Sequence, residues 1–186
     1  MNKKSIYLVF SRTGTYLSRS IGFVTRTQYT HVSLSLDLSF KTMYSFGRLD
    51  PDNPFSGGLT IENIFTGVFK KYQNAVCLIY EVEVTEQQFN KLKKQIQLFY
   101  SSGISYKYNF IGLFGVLVDR PIHRDTHYFC SEFISTLLSN SDIWHSPKIP
   151  QLTSPTDIME IPKKRILYEG FINELDSDVD SELILI

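Results

Sequence analysis

The chain has 186 residues, 42% of them apolar and 14% aromatic, enough to build one buried core without covalent staples. Lys+Arg and Asp+Glu number 19 each, so the basic excess that a phosphate-backbone binder needs is missing, and no nucleic-acid partner is expected. The acids are unevenly placed: Glu174, Asp176, Asp178, Asp180 and Glu182 crowd the end of the chain, which reads as a solvated acidic tail over residues 171–186 after one domain over residues 1–170.

In chain order, the apolar run at residues 6–10 suits a buried strand. Although Lys3 and Lys4 precede it, the run is too short for a secretory core, so the expected location is cytoplasmic. A short helix is predicted over residues 15–24. From Thr30 the pattern alternates, with Thr30, Val32, Leu34 and Leu36 on one face and His31, Ser33, Ser35 and Asp37 on the other, the period of a strand. Residues 37–39 form a tight connection and residues 42–46 resume as a strand, giving a hairpin. A turn centred on Leu38 sets position 31 opposite position 45, making His31 and Ser45 neighbours on one face.

Residues 50–58 are dense in Pro, Gly, Asp and Asn and read as an exposed loop. Residues 75–84 form a second strand with Cys77 as a small core residue. Thr85 to Gln88 has the form of a capping box, followed by Phe89, Leu92, Ile96 and Phe99 at helical spacing. Residues 108–118 are the most apolar stretch, far short of a membrane span, and read as a buried segment. Cys130, Phe133, Ile134, Leu137 and Leu138 mark a second amphipathic helix starting near Phe129. The remainder, carrying Pro147, Pro150, Pro155 and Pro162, is expected to be irregular.

A thiol in the first turn of a helix is helped towards thiolate by the N–H groups and dipole there, and an imidazole on a rigid strand can share its proton. Cys130 and His31 occupy such positions, and the hairpin register nominates Ser45 as the group that orients the imidazole. The apolar stripe alone equally explains Cys130 as a packing residue. No Cys, His, Asp and Glu cluster has metal-ligand spacing, so neither metal nor cofactor is expected, and Cys77 and Cys130 are expected to be reduced.

The segment Thr30-His31-Val32-Ser33-Leu34-Ser35-Leu36, followed about a hundred residues later by Tyr128-Phe129-Cys130-Ser131-Glu132-Phe133-Ile134, resembles the permuted branch of the NlpC/P60 superfamily of papain-like cysteine hydrolases, the YiiX/YebB-like group in particular. The resemblance implies an α+β, circularly permuted papain-like fold, with an antiparallel sheet packed against helices. It implies Cys130 as nucleophile, His31 as general base and the Cys130 N–H as an oxyanion donor. Tyr108-Asn109-Phe110-Ile111-Gly112 is similar to the apolar stretch before the nucleophile in such proteins. The expected function is a cysteine-dependent amidase or peptidase working through a thioester on a peptide, amide or lipid-ester substrate. The alternatives are a lipid acyltransferase or thioesterase, and an inactive binding module on the same fold.

Overall fold

A computed structural model describes residues 3–13, 28–50, 53, 56–72 and 74–175. The helix predicted over residues 15–24 lies outside them, as do residues 176–186 of the acidic tail. The described residues form an α+β fold built on one eight-stranded sheet, ordered β7 (His127–Tyr128), β6 (Lys107–Tyr108), β4 (Gly57–Glu62), β3 (Met43–Arg48), β2 (His31–Ser35), β1 (Lys3–Arg12), β5 (Val76–Thr85) and β8 (Lys164–Phe171).

β1 (Lys3–Arg12) is the spine, running antiparallel to β2 (His31–Ser35) on one side and to β5 (Val76–Thr85) on the other. Its alternation separates two cores. Ile6, Leu8 and Phe10 face one, with Val32, Leu34, Leu78 and Tyr80, while Tyr7 and Val9 face the other, with Met43, Cys77 and Ile79. Cys77 and Cys130 are therefore buried in different cores, and both are free thiols.

The first core is covered by α2 (Glu86–Ser101) and α4 (Cys130–Asn140). α2 starts where the sequence places it, on a Thr85–Gln88 capping box. α4 is buried along most of its length, from Cys130 through Leu138. Its first turns are held to the sheet by rings: Phe133 meets Phe46 of β3 (Met43–Arg48) at 5.1 Å and Phe99 of α2 at 5.0 Å.

Three expectations are corrected. The β2–β3 hairpin pairs Leu34 with Tyr44 and Ser35 with Met43, so the turn centres one residue later than Leu38, and Ser45 falls opposite Ser33 rather than His31. The slip is two residues in register, which keeps every side chain on its predicted face. The irregular C-terminal segment contains α5 (Pro155–Met159) and a strand, β8 (Lys164–Phe171), which pairs with β5. Ile172 and Leu175 are buried beyond it, so packed structure continues past residue 170. Residues 108–118 are not buried throughout: they span the end of β6 (Lys107–Tyr108) and α3 (Phe110–Leu117), with Ile111 54% and Val118 65% exposed.

Two further elements, β4 (Gly57–Glu62) and α1 (Gly67–Lys71), follow the Pro/Gly-rich loop, and β7 (His127–Tyr128) runs parallel to β6. Among the described residues no helix is long and apolar enough to cross a membrane.

Candidate active site

His31 is the first residue of β2, where it pairs with Ser11 of β1. Its Nε2 lies 3.0 Å from both carboxylate oxygens of Glu62, the last residue of β4. Antiparallel pairing across β2, β3 and β4 puts Glu62 level with Met43 and Ser35, on the sheet face that carries His31, and its side chain reaches along that face to the ring. Ser33 donates to Glu62 Oε2 at 2.5 Å and lies 3.2 Å from His31 Nε2. Gly47 keeps the space open, because a Cβ there would lie 2.4 Å from Glu62 Oε1.

Burial opposes a charged imidazole, but the Glu62 carboxylate and hydrogen bonding to Cys130 outweigh it and hold His31 well above its ordinary range. Glu62 is itself held below the usual carboxylate range: desolvation works against the charge, and His31 and Ser33 overcome it. The pair is mostly sheltered, with side chains 20% and 15% exposed. With Nε2 directed at Glu62, Nδ1 is the ring nitrogen left for sulfur.

Cys130 opens α4 at 2% exposure, and Phe129 is the N-cap. The sulfur stands close enough to His31 and to Tyr108, at the end of β6, to raise the pKa of both. Tyr108 approaches closely because Gly57 has no side chain; a Cβ there would be 2.6 Å from that of Tyr108. Burial, and then the neighbouring Cys130, push the Tyr108 hydroxyl far above its usual range, so it stays protonated as a donor.

Of the residues predicted from sequence, Cys130 and His31 come together across about a hundred positions. Ser45 is in the same cluster but further out, 3.5 Å from Nε2, with its hydroxyl donated to the Val32 carbonyl at 2.8 Å. Glu62 and Tyr108 were missed as site residues. The signal for Glu62 was present in Leu59-Thr60-Ile61-Glu62, a short β-type run that ends in a carboxylate directly after the loop. The other histidines engage elsewhere: His123 with Asp125, His127 with Thr126 and His145 with Ser139.

No protein-family model matches the chain, and no curated protein is significantly similar to it. Among solved structures, the fold is similar to that of YiiX from Escherichia coli O157:H7, described as a metalloprotein of DUF1105. The TM-score is 0.58 at 15% identity, over 90% of this chain and 98% of that one. The described part of this chain thus has a YiiX-like α+β fold. Among the described residues no three His, Cys, Asp or Glu side chains are grouped to hold a metal ion.

Proposed function

We propose that the chain is a cysteine-dependent hydrolase of amide or peptide bonds, as the permuted papain-like resemblance implies. The observation that carries this reading is the convergence of Cys130, His31 and Glu62 from a helix start and two strands, with the imidazole bonded to Glu62 and influenced by the neighbouring sulfur. In the proposed reaction the Cys130 proton passes to His31, and sulfur attacks the substrate carbonyl carbon. Glu62 holds the ring and stabilises its cationic form. The Cys130 N–H and the Tyr108 hydroxyl are the donors available to the oxyanion. The imidazolium returns its proton to the leaving amine as the C–N bond breaks, which leaves a thioester. Water, deprotonated by His31, then releases the carboxylic acid and restores the thiol.

Ser45 serves here as a neighbour of the ring rather than as its orienting group, since an anion lies closer. A second reading, acyl transfer from a lipid ester, is favoured by the exposed Ile111 on α3 and Val118 at its end. Turnover of peptide p-nitroanilides and of fatty-acyl p-nitrophenyl esters by wild type, C130A and H31A tests both. Turnover that needs Cys130 and His31 and favours the peptide anilides supports the first. Turnover that rises on vesicles favours the second, and turnover indifferent to both residues removes the mechanism.

A further inference from the structure

Ser33 is fully buried in the middle of β2, two residues beyond His31. Alternation along a strand puts the two side chains on one face, so Ser33 stands beside the imidazole on the same rigid backbone. Its hydroxyl donates to Glu62 Oε2 at 2.5 Å, and its oxygen lies 3.2 Å from His31 Nε2. With Oε2 at 3.0 Å from Nε2, the three polar atoms close a triangle. Among the described residues the Ser33 hydroxyl has no partner outside that triangle, and the Glu62 carboxylate has no donor besides Ser33 and the ring. The neighbouring hydroxyl cannot replace it, because Ser45 is already committed to the Val32 carbonyl at 2.8 Å.

We propose that Ser33 is a positioning residue, whose hydroxyl ties the Glu62 carboxylate to the strand that carries His31 and so keeps the anion on Nε2 while Nδ1 is left for Cys130. The inference rests on the cysteine-hydrolase reading for its functional meaning, while the tie itself is a matter of geometry. Glu62 ends β4, and β3 lies between that strand and β2, so no ladder hydrogen bond joins its backbone to that of His31. Held by Nε2 alone, a long side chain from another strand can swing about that contact; a second donor, fixed two residues from the ring, sets the plane of the carboxylate. The direction of the bond matters as well. Ser33 gives its proton to Oε2, which favours the anionic carboxylate, and an anion is what a cationic ring requires. Without the hydroxyl, Glu62 takes up its proton at a higher pH and the ring loses its partner there. The other titratable groups that face the pair are Cys130 of α4, Tyr100 of α2 and Tyr108 of β6, with Arg48 of β3 acting on Tyr108. Both tyrosine hydroxyls are pushed up, chiefly by burial, so neither titrates in the acid range.

The test uses the full chain as wild type and S33A, with H31A and E62Q as controls, and two readouts. The Glu62 carboxyl carbon is titrated by carbon-13 NMR, its signal identified by its loss in E62Q. Iodoacetamide labelling of Cys130 is followed over the same pH range, with Cys77 in the same molecules as reference. S33A removes one oxygen atom and is expected to fold, to move the Glu62 titration to higher pH, and to carry the acid limb of the labelling profile with it. Labelling at a given pH on that limb should fall by about tenfold, the worth of a hydrogen bond to a charged group, and stay within about twofold of wild type on the plateau. An unmoved Glu62 titration in folded S33A overturns the tie, whatever the thiol does. A shifted Glu62 with labelling that depends on His31 but is the same in S33A and wild type at every pH overturns the role of Ser33 in the site. A shifted Glu62 with labelling that ignores both S33A and H31A upholds the tie and sinks the hydrolase reading alone.

Discussion

Replacing Glu62 by Gln is the sharpest probe of the site, because it removes a charge and leaves the shape. At 3.0 Å, with an effective dielectric of roughly 20–40 for a largely sheltered pair, the attraction between imidazolium and carboxylate is roughly 3–6 kcal/mol. Glutamine recovers part of that by accepting from Nε2–H, leaving a net loss of roughly 2 kcal/mol and moving the His31 pKa down. NMR titration of the His31 ring protons reads the shift directly. The same loss should slow Cys130 alkylation near neutral pH by about tenfold or more, since fewer molecules hold the cationic ring beside sulfur. Stability follows with a definite sign. His31, raised in the fold, contributes fully below its ordinary 6.5 and loses the contribution as pH climbs through its folded value. Glu62, lowered in the fold, contributes fully above its ordinary 4.5 and loses it as pH falls through its folded value. The stability gap between wild type and E62Q, measured by urea unfolding, should therefore be widest between pH 4.5 and 6.5. A folded E62Q whose His31 titrates as in wild type would refute the argument.

Three other outcomes are expected. Iodoacetamide should label Cys130 much faster than Cys77, whose thiol burial pushes up to about 12, and H31A should slow Cys130 without touching Cys77; equal rates at the two thiols count against the site. Gly47→Ala places a methyl group against Glu62 Oε1, so the carboxylate must turn away and His31 should shift in the same direction as in E62Q; an unmoved His31 titration in this variant shows that the glycine is not holding the pair. For Glu132, raised in the fold from 4.5 to about 7, wild-type stability should fall as pH rises through that interval, so E132Q should gain on wild type by about 3 kcal/mol between pH 4 and pH 8, and parallel urea curves at the two pH values would count against a buried, protonated carboxyl group.

Local pattern was sufficient for the elements whose faces differ chemically. The alternation around His31 and the spacing from Cys130 to Leu138 each describe one buried face, and hydrophobic burial leaves few other ways to satisfy them. The Thr85–Gln88 box was legible because its hydrogen bonds are between residues three apart. The hairpin face was legible and its register was not, since a slip of two residues exchanges partners without exposing any apolar side chain. β8 went unread because its burial is partial along its length, and what makes it a strand is the ladder it completes with β5.

At the site, the sequence by itself determined that Cys130 begins a helix and that His31 stands on a strand face with serines, because both depend only on near neighbours. The anion that completes the pair was decided by tertiary structure. Ser45 was chosen by proximity along a hairpin, whereas Glu62 reaches His31 across β3, through pairings of strands and two positions, Gly47 and Gly57, whose missing side chains let Glu62 and Tyr108 come close. A glycine in a sequence shows only that a side chain is absent; which group moves into that space depends on the packing of the whole sheet.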